Sequence, residues 1–289
     1  MLSAFEYIIS KQIQWAKNRG LTLLGSENKR GRPAYTIELN MNLYAPLVES
    51  ARLCFEQGNG NELVSSSESP AKMQAVHSSS ALGVNVFQYW EGINQVPIIA
   101  SACGFCKKGE VISEKIIFED KYPIKGINRI PPHIDVVIHN SASSKFKRFA
   151  IECKFTEPYN SYTLDGLKSA YLNVDELWSD IPELHKLAKS ISPDNTVYKY
   201  LDSAQLIKHI LGLKTFCNKS EFKLLYLWYD VLGKEGGDHR DEIEEFTRIA
   251  TSDGIHFSSL SYQELIIALA KEYRLEHSEY VKYLTERYL

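Results

Sequence analysis

Three charged residues near the middle of the chain could together bind a divalent cation and an anionic substrate. Asp135 is followed after sixteen residues by Glu152, and Lys154 comes two positions later. Side chains alternate between the faces of a β-strand, so Glu152 and Lys154 should point the same way and Cys153 the opposite way. Carboxylate oxygens suit Mg²⁺, and an ammonium group beside them favours an anion. The spacing therefore predicts a site for a hard divalent cation and an anionic substrate.

Both parts of this pattern lie in segments that have the composition of β-strands. Residues 133–139 are rich in β-branched side chains, and residues 149–155 in apolar and aromatic ones. The polar stretch 140–145 between them indicates a hairpin turn. Pairing the two strands across that turn should bring Asp135 beside Glu152 at one end of a sheet.

If the anionic substrate is a phosphodiester, its hydrolysis needs an activated water and neutralisation of the charge that develops on phosphorus. We expect Asp135, Glu152 and the backbone carbonyl of Cys153 to hold a Mg²⁺ ion that keeps several of its waters. Lys154 would orient the attacking water or stabilise the charged phosphorus, and a general-base role is open if its pKa is lowered. The alternative is a surface strand on which Glu152 pairs with Lys154 and no metal binds.

This arrangement, an aspartate followed by Glu-x-Lys on adjacent strands, resembles the PD-(D/E)XK nuclease superfamily with its restriction-endonuclease-like fold. The literal Pro-Asp pair is absent, because Pro131 and Pro132 lie four and three residues before Asp135. From about residue 25 to 269 the chain is similar to a bacterial group of restriction-type endonucleases. The segments that carry this likeness are 60–63, 72–87, 118–119, 156–159 and 205–209. The resemblance implies Mg²⁺-dependent cleavage of double-stranded DNA, with Mn²⁺ as a substitute, but not the sequence that is cut.

Many members of that superfamily carry a further acidic residue upstream of the motif. Glu119 is the first candidate, because it lies on the preceding predicted strand and could reach the same end of the sheet as a metal ligand. Its alternative is an ion pair with Lys121 on the same strand face. Glu62, in the loop of residues 60–63, is the second candidate for a catalytic acid.

Composition and charge restrict the classes of protein to which the chain could belong. It has 289 residues, 44% of them hydrophobic and 24% charged, which is ordinary for a globular protein. No apolar run approaches the roughly 18 residues that span a bilayer, so we expect no membrane association. Five cysteines, an odd number, suit a reducing compartment and predict a cytoplasmic protein. The net charge of −3 argues against indiscriminate coating of nucleic acid but allows a basic cleft.

The order of predicted elements favours one architecture. Apolar periodicity and breakers predict helices at 2–19, 44–57, 71–90, 197–216, 238–251 and 262–289, short helices within 164–192, and strands at 115–122, 222–228 and 256–260 besides the motif strands; 95–105 stays ambiguous. We predict an α/β (α+β) fold with a restriction-endonuclease-like core, a mixed sheet of four or five strands flanked by helices. Helical additions are expected at both ends, with an N-terminal helical region at 1–70 and a nuclease domain at 71–289.

Three further groups of residues are candidates for contacts with DNA. Lys29, Arg30 and Arg32 belong to an Arg-Gly-Arg-Pro segment that matches the core of the AT-hook, although a basic turn is the alternative. Gln205 and His209 lie four apart on one predicted helix and could touch a nucleotide, or simply form its surface.

The third group is His77 with Ser80, which fall within the predicted helix 71–90. They could line the DNA-facing side of the site, or the small serines could let the helix pack closely on the sheet. Cys103 and Cys106 have the spacing of half a zinc site, but no second pair follows, so two ordinary thiols are the simpler interpretation.

Three classes of function remain open: a restriction-type endonuclease, a repair or recombination nuclease, and a non-catalytic member that binds nucleic acid. Asp135, Glu152 and Lys154 argue against the last. Cutting both strands with one active site per chain requires two chains or two successive nicks. We therefore expect a homodimer, because twofold symmetry matches duplex DNA. The terminal helices, 1–19 and 262–289, should supply its contacts because they were expected to lie outside the catalytic core.

Overall fold

A five-stranded mixed sheet forms the centre of the molecule. The computed structural model describes residues 2–24, 34–58, 60–66, 69–110, 112–160 and 163–289. The strands are β1 (Ser113–Lys121), β2 (His133–Asn140), β3 (Arg148–Lys154), β4 (Phe222–Trp228) and β5 (Phe257–Ser261), and their order in space follows the chain. Strands β1, β2 and β3 pair antiparallel, whereas β3, β4 and β5 pair parallel. This change follows from the connections, since short loops join the first three strands and helices precede each of the last two.

Helices cover both faces of the sheet. They are α1 (Ala4–Asn18), α2 (Glu49–Gln57), α3 (Ser79–Gly92), α4 (Val96–Ala102), α5 (Ser169–Leu172), α6 (Pro182–Ser190), α7 (Ser203–Phe216), α8 (Lys234–Ser252), α9 (Tyr262–Tyr273) and α10 (Ser278–Tyr288). The predicted architecture, a mixed sheet of four or five strands flanked by helices, is confirmed. The run at β4 is almost continuously apolar because both of its neighbours are parallel strands and both of its faces are buried.

The alternation of side chains along β3 separates two hydrophobic cores. Ile151 and Cys153 lie in one core with residues of α1, α3, α9 and α10; we call this side the terminal-helix face. Ala150 lies in the other core with residues of α6, α7 and α8, which we call the α7 face. The terminal helices were expected to lie outside the core, and this is wrong, since Ile8 and Leu284 are fully buried in it.

A buried arginine joins the two ends of the chain. The guanidinium of Arg287 on α10, only 1% exposed, donates to Gln12 Oε1 at 3.1 Å, to the Asn42 carbonyl at 2.8 Å and to the Tyr283 hydroxyl at 2.6 Å. It also lies 4.1 Å from the ring centroid of Trp15. These residues, the Arg287 cluster, tie α1 and the segment before α2 to α10, so the division predicted at residue 70 stays a prediction.

Several predicted helices begin later in the structure than expected, because side chains from elsewhere fix the preceding residues. Helix α3 begins at Ser79 rather than at 71, since the Ser78 hydroxyl accepts a hydrogen bond from the Ala81 amide and acts as the N-cap. Helix α7 begins at Ser203 rather than at 197. Its preceding residues are held extended by Glu242, which accepts hydrogen bonds from three backbone amides.

Two other predicted boundaries were also wrong. Helix α2 begins at Glu49 rather than at residue 44, because the side chain of Gln88 binds the Val48 amide and the Pro46 carbonyl and keeps that segment out of a helix. The predicted helix 262–289 is two helices, with His277 between them hydrogen-bonded to the Tyr89 hydroxyl at 2.8 Å. The ambiguous segment 95–105 contains α4.

Candidate active site

Three acidic residues lie in a row across adjacent strands at one end of the sheet. Val136 pairs with Ile151, so Asp135 on β2 lies opposite Glu152 on β3. On the other side of β2, the ladder between β1 and β2 places Glu119 opposite Asp135. The strand pairing predicted from the hairpin is therefore present, and it brings the two acids of the motif side by side with Glu119.

The backbone of β3 fixes the position of Asp135. The amide of Cys153 donates a hydrogen bond to Asp135 Oδ2 at 2.7 Å. The Cys153 thiol points to the terminal-helix face, where burial raises its pKa well above the ordinary value. Cys153 can therefore offer a cation only its carbonyl oxygen, which is the role predicted for it.

Helix α7 supplies partners to the other two residues of the motif. Lys154 Nζ lies 2.6 Å from Glu152 Oε1 and 2.7 Å from Gln205 Oε1. His209 Nε2 lies 2.9 Å from Glu152 Oε2, although the two atoms are not aligned as a hydrogen bond. Gln205 and His209 thus lie on one face of α7, as predicted, but they contact the motif. His209 is 1% exposed, so in this structure its contact is with Glu152 and a contact with DNA stays a prediction.

The electrostatics of the motif depend on the burial of all three side chains. Burial would raise the pKa of Glu152, but Lys154 and His209 outweigh it and lower the pKa to about 2. Burial and the neighbouring Glu152 raise the pKa of Asp135 well above its ordinary value. Burial would lower the pKa of Lys154, but Glu152 and Asp135 hold it well above the ordinary value. Lys154 is therefore a cation here, which favours charge stabilisation over the general-base role.

Glu119 is placed in the row by an unusual backbone conformation. Its φ is +53°, in the left-handed region that a glutamate rarely adopts, and such strain costs on the order of 1–3 kcal/mol. Burial, and then repulsion by Glu152 and Glu62, raise its pKa to about 7. Its carboxylate lies 3.4 Å from His133 Nδ1, whereas Lys121 donates to the Gln57 carbonyl. The alternative pairing with Lys121 is therefore wrong.

Glu62, the second candidate acid, lies at the border of this cluster. Burial raises its pKa, whereas Lys72, 4.0 Å away, and a hydrogen bond from Ser80 lower it. Glu62, Ser80 and His77 line a separate cavity of about 240 Å³ together with Glu157. The placement of His77 and Ser80 in mid-helix was wrong, since both flank the N-cap of α3; their contact with DNA stays a prediction.

The donor set fits a hard divalent cation. Within the described ranges, no group of three or more His, Cys, Asp and Glu side chains forms a ready-made metal cage. Glu152 Oε2 is nevertheless buried without an aligned hydrogen bond, and the pKa values of Asp135 and Glu119 are raised first by burial and then by repulsion from Glu152. A cation would relieve both conditions, and oxygen ligands from two carboxylates and waters suit Mg²⁺. A cavity of about 380 Å³, lined by Glu119 and Asp135, gives access to them.

Sequence reasoning missed a hydrogen-bonded chain behind Lys154. Tyr226 of β4 lies beside Glu152 of β3, and the Tyr226 hydroxyl is 3.1 Å from His239 Nε2. The other ring nitrogen, His239 Nδ1, is 3.2 Å from the Tyr159 hydroxyl. Burial lowers the pKa of His239 to about 3, so the ring is neutral. The pattern gave no signal for this chain, because its members come from three distant segments.

The remaining candidates lie apart from this site. Lys29, Arg30 and Arg32 fall outside the described residues, so their predicted contact with DNA is untested. Cys103 and Cys106 are free thiols, and burial raises the pKa of both. The interpretation of these two residues as ordinary thiols agrees with this environment.

Fold and site together define a protein of the restriction-endonuclease-like class: a mixed sheet whose central hairpin carries Asp135, Glu152 and Lys154. A family described as restriction endonuclease associating with ARP matches residues 10–289, and the chain belongs to this family. No curated protein and no solved structure matches the chain. Among the described residues, no helix is long and apolar enough to cross a membrane.

Proposed function

We propose that this protein is a Mg²⁺-dependent endonuclease of restriction type that hydrolyses phosphodiester bonds in double-stranded DNA. The observation that carries the proposal is the assembly of Asp135, Glu152 and Lys154 at one end of the sheet, next to an open cavity. Membership of a restriction endonuclease family supports DNA as the substrate.

Asp135, Glu152 and the Cys153 carbonyl would hold the Mg²⁺ ion, with Glu119 as a further ligand. When bound, the ion supplies the Lewis acidity and the positive charge that phosphodiester hydrolysis requires. Glu152 is kept ionised by Lys154 and His209, so it can serve as a ligand at neutral pH. Glu119, with a pKa of about 7, changes its charge close to neutrality.

Lys154 is the residue that we assign to the substrate phosphate. Its ammonium group is held between Glu152 and Gln205, and Lys154 also lines a cavity of about 320 Å³. A fixed cation beside the scissile phosphate stabilises the negative charge that grows in the transition state. Gln205, anchored on α7, would set the direction of Lys154 through its side-chain oxygen.

A homodimer remains our proposal for cutting both strands, but its contacts need revision. The apolar sides of α1 and α10 are already buried in the hydrophobic core of the terminal-helix face, so they cannot supply most of the dimer interface. A cytoplasmic location, inferred from the odd number of cysteines, likewise stays a prediction.

The test is digestion of closed circular plasmid, methylated and unmethylated, by the purified protein in Mg²⁺. Discrete linear fragments from either plasmid support a restriction-type endonuclease, and dependence on methylation defines its class of target. A protein that shortens linear DNA from its ends but leaves circles intact would instead be an end-processing nuclease. No product from any DNA would overturn the proposal.

A further inference from the structure

Two cavities meet at one lysine of helix α7. The cavity of about 380 Å³ contains Asp135 and Glu119, and the cavity of about 320 Å³ contains Lys154 and Lys199. Lys208 lines both of them. A strand of nucleic acid that follows the two cavities past the cutting site would therefore pass over Lys208.

Lys208 differs from the other lysines of this groove in having no partner. Lys154 is paired with Glu152, and Lys199 lies 4.9 Å from the ring centroid of Tyr200. Lys208 makes no hydrogen bond and no ion pair to any residue that the structure describes. It is only partly buried, so its ammonium group is available to a ligand. An uncommitted cation between two open cavities favours an anion that extends into both.

The position of Lys208 relative to the cutting site is fixed by its own helix. Gln205, three residues before it, is hydrogen-bonded to Lys154, and His209, the next residue, lies against Glu152. Residues three apart on a helix are surface neighbours, roughly 5–6 Å apart at their Cβ atoms. Lys208 therefore lies next to Lys154 and Glu152, which would act at the scissile phosphate, but forms no hydrogen bond or ion pair with them.

The acids that line the same groove form no ion pair with Lys208 among the described residues. In the cavity of about 320 Å³, the Asp202 carboxylate accepts a hydrogen bond from the Gln205 amide, and the Glu157 carboxylate accepts one from the Phe155 amide. Asp165 also lines this cavity, and neither it nor these two carboxylates is paired with Lys208, so the ammonium group of Lys208 remains free to bind an anion.

We propose that Lys208 binds the backbone phosphate next to the scissile phosphate on the DNA strand that is cut, and so holds this strand across the active site. This inference rests on the proposed function. A lysine that contacts one phosphate releases counterions on binding, so it should contribute about 0.9 to the slope of log affinity against log salt concentration.

The test compares Lys208→Ala with Lys208→Arg and with Lys271→Ala. Lys271 is a matched control, because it is an exposed lysine of α9 that lines neither cavity. Affinity for a fluorescent DNA duplex of random sequence is measured by anisotropy in Ca²⁺ over a series of NaCl concentrations. Lys208→Ala should weaken binding about tenfold and reduce the salt slope by about one, whereas the other two variants keep the wild-type slope.

Cleavage in Mg²⁺ is measured on the same preparations. Lys208→Ala should raise the DNA concentration that gives half the maximal cleavage rate by about tenfold, and the maximal rate at saturating DNA should fall much less, since the lost contact is to a phosphate that does not react. A wild-type salt slope in Lys208→Ala, or an equal loss in Lys271→Ala, would overturn the inference. If the wild-type protein cuts no DNA, the proposed function is overturned. If Lys208→Ala still reduces the salt slope of binding in that case, the phosphate contact stands.

Discussion

Two buried polar clusters lie on opposite faces of the sheet and differ in how well their atoms are satisfied. On the terminal-helix face, the charged guanidinium of Arg287 meets neutral acceptors on Gln12, Asn42 and Tyr283. On the α7 face, Glu152 Oε2 and both ring nitrogens of His209 lack an aligned hydrogen bond, although the two side chains are in contact.

The two clusters also differ in the repulsion between their charged groups. No acid lies beside another in the Arg287 cluster, whereas on the α7 face burial and then the ionised Glu152 raise the pKa values of Asp135 and Glu119. Bonded groups stabilise a buried polar network, and unpaired groups cost stability. Trp15 Nε1 in the Arg287 cluster is unpaired but neutral, whereas the unpaired Glu152 Oε2 on the α7 face belongs to a charged carboxylate. The Arg287 cluster therefore stabilises the fold, whereas the incompletely bonded side chains of the α7 face support the proposal that a cation binds there.

The sharpest way to break this comparison is to neutralise the acids of the α7 face. Asp135→Asn and Glu152→Gln keep the side-chain shape but remove the metal ligand, so cleavage in Mg²⁺ should fall by about 10³-fold or more. The free energy of unfolding of Asp135→Asn should not fall, because a repelled carboxylate is replaced by a neutral group that can still accept from the Cys153 amide. Plasmid cleavage and urea denaturation measure the two effects; a variant that still cuts at the wild-type rate would contradict the assignment.

The opposite result is expected on the terminal-helix face. Arg287→Met leaves the side-chain oxygens of Gln12 and Asn42 buried without their donor, which should lower the free energy of unfolding by about 3 kcal/mol. Cleavage per folded molecule should not change. The matched control is Arg19→Met, since Arg19 is exposed and its pair with Glu286 at 3.4 Å should contribute less than about 1 kcal/mol. Equal melting temperatures for the two variants would show that the Arg287 cluster is not a stabilising one.

Lys154→Ala distinguishes the role of the fixed positive charge on the α7 face from the role of the metal ligands. Lys154→Ala removes the fixed cation and keeps both carboxylates, so the rate of cleavage should fall on the order of a hundredfold. Affinity for DNA should fall far less, because one phosphate contact among many is lost. Single-turnover cleavage and anisotropy distinguish the two, and a wild-type rate would remove Lys154 from the mechanism.

The smallest expected effect is on the dependence of stability on pH. The pKa of Glu119 is raised from 4.5 to about 7, so the folded protein holds this proton more tightly than the unfolded chain does. In EDTA, Glu119 should therefore lower the free energy of unfolding as the pH rises from about 4.5 to about 7, with no further change above that range. Glu119→Gln should lack this decline. If denaturation curves of the variant and the wild type change in parallel across this range, Glu119 does not titrate there.

The sequence could predict those parts of the site that depend on residues close together in the chain. The positions of Asp135, Glu152 and Lys154 could be predicted from local strand composition and from the alternation of side chains along a strand. The pairing of their strands follows from the single hairpin across 140–145. These local signals therefore predicted the row of acids correctly.

The parts that could not be predicted depend on residues far apart in the sequence. Nothing in the sequence marks Glu119 for a positive φ, and the burial of His209 depends on how α7 lies against β3. The late start of α7 was missed because Glu242, some forty residues further on, binds the amides that a helix would have used. Such contacts override local propensity and leave no periodic trace.

The most direct test of the central claim is the dependence of cleavage on a divalent cation. Closed circular plasmid is incubated with the wild-type protein in EDTA, in Mg²⁺, in Mn²⁺ and in Ca²⁺, and nicked and linear products are followed with time. We predict cutting in Mg²⁺ and in Mn²⁺, binding with little cutting in Ca²⁺, and no products in EDTA, because the acids of the α7 face require a cation to act. Undiminished cleavage in EDTA would contradict the account.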